Sequence, residues 1–514
     1  MNTTKDKDRI GTRLRLQCLL LGFFMSLPIL AENGRSVNAF LNTPELRHAN
    51  VGVLMRNVRT GEVIDSYRSS SFCLPASTTK LVTTAAALEL LGPEFRFKTS
   101  LQYDGEVRDS VLYGNLYILG GGDPTLGSKY LGDTLFLDHW CRAVLRLGVR
   151  HIKGQVIADA SLFNEQGVSP KWSWEDLGNY YGMGVYGLSV YDNTCAVYYK
   201  SGKVGTQTEI LRTEPLIEGL RIENHVTAAS GGGDNAYYYG APLSLSRTVY
   251  GTVPALKKGF LSKADIPNPP LLLSQQLTQA LSSRGIGVDG TPDCILSHRK
   301  TASGRKTFFT LSSPPLRDIV ENTNRLSNNH YAEHLYRYLG SRKTSSDVTA
   351  GAEVIDEFWK SKGVDTDGLI QYDGSGLAPV NAITPEFLVN LLTWEYTQAK
   401  YGKVFYASLP VAGQTGTVKS LLRGTRLTGR VRCKSGSISR TQCYAGYVEW
   451  QGETYAFAVM VNNFRGSRER VKRAIGSLLL SLTDETVGEV EQEMDLHDDA
   501  TLESSDTDTE PSAE

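Results

Sequence analysis

The feature that most constrains this chain is the division of its regular structure between its two ends. Val51 to Arg56 and Glu62 to Tyr67 read as strands joined around Arg59-Thr60-Gly61. In the helix that follows, Leu81, Val82, Ala85, Leu88 and Leu91 recur at helical spacing, Ser77-Thr78-Thr79 offer capping side chains, and Gly92-Pro93 is the stop. Far downstream, Gly429 to Cys433, Cys443 to Trp450 and Thr454 to Val461 read as three more strands, the last two an antiparallel hairpin about Gln451-Gly452-Glu453. A closing helix from Ser467 to Leu482 puts Val471, Ala474, Ile475, Leu478 and Leu479 on one face. Helical patterns also cover Leu316 to Asn324 and Asn328 to Leu339, whereas Phe97 to Ser303 consists mostly of short β-like runs split by Gly-rich turns. This order predicts an α+β domain whose sheet is assembled from both chain ends, residues 32–98 and 302–483, around a mostly β insertion at 99–301 of one or two nested modules.

The extreme ends read differently. Residues 1–31 place Lys5, Lys7, Arg9, Arg13 and Arg15 before an apolar run from Leu16 to Leu30 that is too short to span a bilayer, the pattern of a signal peptide. The chain is therefore expected to be exported to the periplasm or cell envelope, with at most peripheral membrane association. From Asp484 onward thirteen acidic residues occur without Lys or Arg, which predicts a disordered tail at 484–514. Setting aside that tail and the leader leaves 49 basic against 40 acidic residues, a mildly basic body suited to an anionic surface and giving no pointer to nucleic acid. Six cysteines lie outside the leader with no metal-binding spacing, and their pairing is not readable from sequence.

Three short patterns occur in order: Ser77-Thr78-Thr79-Lys80, Ser327-Asn328-Asn329 and Lys434-Ser435-Gly436. Such a set belongs to active-site serine enzymes that form acyl intermediates. Each pattern alone is weak, since Ser297 to Lys300 and Ser303 to Lys306 also fit the first and Lys200-Ser201-Gly202 fits the third. Context selects Ser77, which opens a strongly apolar helix where unpaired amides and the dipole favour negative charge. Lys80 follows one turn later on the same face, within reach to act as base once burial lowers its proton affinity. Ser327 is expected to start a helix that carries Asn329, and Lys434 to lie just beyond the strand ending at Cys433.

With Gly121-Gly122-Asp123-Pro124-Thr125-Leu126, Asp373-Gly374-Ser375-Gly376-Leu377 and Leu409-Pro410-Val411-Ala412-Gly413, these motifs give a resemblance running from about Asn50 to Leu482. The chain resembles the class C low-molecular-mass penicillin-binding proteins, a D-alanyl-D-alanine carboxypeptidase/endopeptidase family. That resemblance implies a β-lactamase/transpeptidase-like domain, an antiparallel sheet flanked by helices, with a large insertion between the first two motifs. It implies Ser77 as nucleophile, Lys80 as base, Ser327 as proton relay and Asn329 as peptide clamp. Lys434, Ser435, Gly436 and Ser437 would form the carboxylate and oxyanion site, with no metal or organic cofactor. Peptidoglycan peptides are the implied substrates and β-lactam antibiotics the implied inhibitors. Trp172, Trp174, Asp176 and Tyr181 resemble the family segment that receives the ammonium end of diaminopimelate. Two departures are Ser435, where Thr is usual, and the histidines His330 and His334 at positions expected to be apolar.

Rival readings share these residues. A β-lactamase would use the same Ser77 and Lys80 with rapid deacylation, and a non-catalytic wall-binding protein would keep only the fold. His330-Tyr331-Ala332-Glu333-His334 fits an inverted zinc-peptidase pattern, although it overlaps the Ser-Asn-Asn helix and packed histidines are the simpler expectation. Asp373 is read as an organiser of its Gly-rich loop, Gly120 to Asp123 as a turn, and Cys73 and Cys433 as small core residues.

Overall fold

The computed structural model describes residues 34–297, 304–343 and 347–485. The expected signal peptide and the tail after Glu485 lie outside these residues, as does most of the decoy stretch between Ser297 and Ser303. The two chain ends meet in one five-stranded antiparallel sheet. Its strands are β1 (Asn50–Asn57), β2 (Val63–Tyr67), β3 (Val431–Ile438), β4 (Thr441–Trp450) and β5 (Glu453–Asn462), in the order β2-β1-β5-β4-β3. β1 pairs with β5 from Asn50↔Asn462 to Asn57↔Tyr455.

Alternation along the strands sorts side chains into two cores. From β5, Ala456, Ala458 and Met460 face one core, while Phe457, Val459 and Val461 face the other. The first core holds the helices α1 (Thr79–Leu91), α2 (Leu316–Leu326), α3 (Asn329–Ser341) and α4 (Pro385–Thr397). The second is closed by α5 (Arg468–Glu485) and the short helix Arg35–Leu41. This is the helix-flanked antiparallel sheet expected from sequence.

Four details differ from the sequence reading. Helix α1 is buried on every side from Thr79 to Leu88, not along one stripe, because it runs through the centre of the helical layer. Thr78 and Thr79 do not cap it; their hydroxyls donate to the carbonyls of Pro75 (2.7 Å) and Ala76 (2.9 Å). The β3–β4 hairpin closes at Ile438↔Thr441, so Lys434 lies within a strand and not beyond its end. Helix α5 continues to Glu485, whose carboxylate accepts from Ser36 N and Oγ, so the first two acids of the expected tail are structured.

The insertion is mostly β but not wholly so, with helices at Phe136–Arg146 and Pro269–Ser282. Strand Lys98–Tyr103 pairs with Lys306–Ser312 in a five-stranded mixed sheet. Lys306–Ser312, grouped by sequence with the catalytic part, therefore belongs to the insertion's sheet. A separate core around Val197, Tyr199, Tyr238 and Val249 lies within the insertion. It contains the buried pair Arg247–Asp265, at 2.8 Å. Among the described residues no helix is long and apolar enough to cross a membrane.

Candidate active site

The Ser77 turn is shaped by close backbone approaches. Ala76 has φ +46, a strained value for a residue with a side chain, in the turn that leads into α1. Gly436 on β3 passes beside it: a Cβ there would lie 2.4 Å from Pro75 O and 3.1 Å from Ser77 N. Gly376 does the same from the other side, 1.9 Å from Ala76 O and at φ +84. Glycine at these two points lets strand and loop close on the serine.

Lys80, one turn after Ser77 and in the first turn of the buried helix, is fully covered. Its Nζ is 2.8 Å from Ser77 Oγ, 2.7 Å from Asn329 Oδ1 and 2.7 Å from the carbonyl of Ser375. Burial brings its pKa down to about 7, against a smaller opposing pull from Glu333 and Asp373. Asn329 Nδ2 donates to Tyr181 O at 2.9 Å, so the insertion fixes which way this amide faces.

Ser327 does not start a helix. It ends α2 in the left-handed region, at φ +58, and Asn328 caps α3 by accepting from Tyr331 N. This kink points Ser327 Oγ at Lys434 Nζ, 2.8 Å away, which also donates to Ser435 O. Ser435 Oγ donates to Thr417 Oγ1 at 2.7 Å, and Arg468 donates to Ser437 Oγ at 2.6 Å. A cleft of about 730 Å³ is lined by Ser77, Ser327, Asn329, Ser435 and Ser437 together with Tyr181 of the insertion.

The remaining sequence candidates fall around this centre. Asp373 organises its loop through bonds from Gly376 N, Ala378 N, Asn381 Nδ2 and Trp172 Nε1, all within 2.6–2.8 Å. Trp172 packs with Leu377 and Ala378, joining insertion to loop. Trp174 is 59% exposed, and neither it nor Asp176 lines the cleft that Tyr181 lines. Burial raises Asp176 to about 6. Cys73 and Cys433 are buried thiols, pushed up to about 11 and about 12 by burial, which suits core residues and not nucleophiles. The decoy Lys200 pairs with Glu209 in the insertion, away from the cleft.

Two members of the zinc-like motif, His334 and Glu333, are hydrogen-bonded within the fold, while the His330 ring packs 4.5 Å from that of His334. His334 Nδ1 lies 2.9 Å from Gly122 O and its Nε2 3.0 Å from Ser189 Oγ, while burial holds its pKa down at about 3. Glu333 accepts from the amides of Gly374 (3.1 Å) and Ser375 (2.7 Å). Both groups are thus spent on joining α3 to the insertion and to the Asp373 loop. Sequence reasoning missed Thr417, Arg468 and the carbonyl of Ser375. A backbone acceptor has no signature in a sequence, and Thr417 and Arg468 lie outside any motif.

The sequence pattern of the D-Ala-D-Ala carboxypeptidase 3 (S13) family matches residues 34–483. The chain belongs to this family. Its relatives include a D-alanyl-D-alanine carboxypeptidase of Actinomadura sp. (strain R39), 29% identical over 464 residues, covering 85% of this chain and 82% of the relative. D-alanyl-D-alanine carboxypeptidase DacB of Haemophilus influenzae is 26% identical over 461 residues, covering 87% and 92%. The crystal structure of penicillin binding protein 4 from Haemophilus influenzae shares the fold, with a TM-score of 0.74 at 22% identity over 87% of this chain and 98% of that one. As an S13 member the chain is a serine-type D-Ala-D-Ala carboxypeptidase.

Proposed function

We propose that Ser77 attacks the carbonyl of the penultimate D-alanine of a peptidoglycan stem peptide, with Lys80 taking its proton and an acyl-enzyme as intermediate. One observation supports this assignment above all: the three contacts of Lys80 Nζ. A neutral amine has two N–H groups and one lone pair. The acceptors Asn329 Oδ1 and Ser375 O use the two N–H groups, which turns the lone pair toward Ser77 Oγ. A pKa of about 7 makes the neutral form available at neutral pH.

The developing oxyanion would meet the backbone amides of Ser77 and Ser437, while Lys434, Ser435 and Ser437 hold the terminal carboxylate. Ser327, bonded to Lys434, relays a proton to the leaving amine. Asn329 and Tyr181 border the acyl-donor strand, and Asp176, adjoining Tyr181, would receive an ammonium group at the diaminopimelate end. Endopeptidase cleavage of cross-links uses the same chemistry with a longer leaving group. A β-lactam follows the first step and remains attached. Residues 34–98 and about 313–483 form the catalytic unit in this reading, and the leader pattern supports export to the cell envelope.

The test is release of D-alanine from a purified muropeptide pentapeptide. Wild-type protein releases it and Ser77→Ala does not; equal release by a folded Ser77→Ala variant rejects the nucleophile. Slow turnover of a chromogenic β-lactam is expected, and rapid turnover would favour the β-lactamase reading.

A further inference from the structure

Among the residues that line the cleft with Ser77 are two cations of the insertion that the serine chemistry does not employ. Lys129 follows the turn closed by the Ser128 N to Thr125 O bond, and Lys263 is in strand Phe260–Asp265. Both line the cleft that contains Ser77, and both also line an adjoining cavity of about 380 Å³ with Gly127, Tyr191, Ala196 and Leu261. The pair therefore marks the junction between the two spaces. Lys129 Nζ lies 4.8 Å from the centroid of Tyr130, and Lys263 Nζ lies 5.3 Å from that of Tyr180.

Two neighbouring ammonium groups repel, the more so when one is half-buried. Lys263 is pushed below the usual lysine range by burial first and by Lys129 second. Two carboxylates face them, Asp192 toward both lysines and Asp234 toward Lys263, and each offsets part of that repulsion while also accepting a bond of its own. Asp192 accepts from Ser128 Oγ at 2.5 Å, Asp234 from Ala236 N at 3.1 Å, and Glu214 from Tyr198 OH at 2.8 Å. A ligand anion between the lysines would relieve their repulsion and gain charge-assisted hydrogen bonds.

The position of the pair identifies the part of the substrate concerned. With the terminal carboxylate at Ser435 and Ser437, a carboxypeptidase releases a single residue at that end. The charge that a substrate brings to the insertion wall then belongs to the acyl-donor stem. We propose that Lys129 and Lys263 form an anion subsite that binds a free carboxylate of the acyl-donor stem, on the amino-terminal side of its diamino acid. The proposal rests on the assignment of Ser77 as nucleophile.

The experiment compares two synthetic stem peptides ending in D-Ala-D-Ala, identical except that a D-glutamyl residue carries either a free α-carboxylate or a carboxamide. A short uncharged D-Ala-D-Ala peptide is the reference. Wild-type kcat/KM should favour the carboxylate peptide by about five- to tenfold, the scale of a partly desolvated charge contact. Lys129→Gln/Lys263→Gln should bring that ratio to about one and leave the reference peptide unaffected, since neither lysine touches the reacting atoms. Lys263→Arg should keep the preference and Lys263→Glu should invert it. Equal kcat/KM for the two stem peptides in the wild type, or an unchanged ratio in the double variant, overturns the subsite while hydrolysis of the reference peptide upholds Ser77. Absence of any turnover by the wild type, with no penicillin labelling, overturns both.

Discussion

The pH dependence of acylation is set by the burial of Lys80. A lysine in water has a pKa near 10.4 and is neutral in fewer than about one molecule in a thousand at pH 7. At about 7, where burial places Lys80, half the molecules hold the neutral amine. The gain in competent base is therefore on the order of a thousandfold. The sign follows directly: the base works when unprotonated, so acylation is present above pH 7 and is lost as pH falls. Two units below, at about pH 5, the rate should be near 1% of its plateau. Lys80→Arg keeps the positive charge but has no accessible neutral form, so its rate should lie about 10²–10⁴ below the wild-type plateau and show no rise between pH 5 and 9. The assay is the second-order rate of labelling by a fluorescent penicillin, with circular dichroism at each pH to confirm folding. A flat wild-type profile between pH 5 and 8, or a Lys80→Arg variant within tenfold of wild type at pH 8–9, would refute the assignment of Lys80 as base.

Asp373→Ala strips the acceptor from four buried donors, each worth about 1–3 kcal/mol when left unpaired, so a loss of several kcal/mol is expected. Thermal unfolding measures this, and a melting temperature within 2 °C of wild type, a shift of only about 1 kcal/mol, contradicts it. Asp176→Asn should lower the ratio of kcat/KM for a diaminopimelate-type peptide to that for a short uncharged peptide, leaving the latter unchanged. An unaltered ratio would mean that Asp176 is merely solvated. Chelators should leave D-alanine release intact because His334 and Glu333 are bonded within the fold, whereas His334→Ala should lower the melting temperature. Stoichiometric zinc in the purified protein, with activity lost on chelation, would reverse that reading.

Much of this architecture was legible because periodicity is a local property. The alternation in β5 and the apolar run of α1 are written within a few residues, and the motifs at Ser77, Ser327 and Lys434 stand at fixed offsets. What escaped was whatever depends on chain segments meeting. The left-handed Ser327 closes one helix instead of opening the next, which the adjacent Asn-Asn capping residues obscured. Lys434 sits inside β3 because the strand extends through Ser-Gly-Ser to Ile438, residues that look like a turn but pair with β4. His334 looked misplaced because its partners, Gly122 and Ser189, come from the distant insertion. The Ser375 carbonyl beside Lys80 was hidden for a simpler reason, since every residue has a carbonyl.

The most direct test of the account is the site of covalent acylation. Wild-type protein incubated with benzylpenicillin should gain the mass of one intact β-lactam, and peptide mapping should place it on the fragment containing Ser77. Ser77→Ala, folded as judged by its melting temperature, should gain none. An adduct on another residue, or undiminished labelling of Ser77→Ala, would contradict the central claim that this serine, at the head of a buried helix beside Lys80, is the nucleophile.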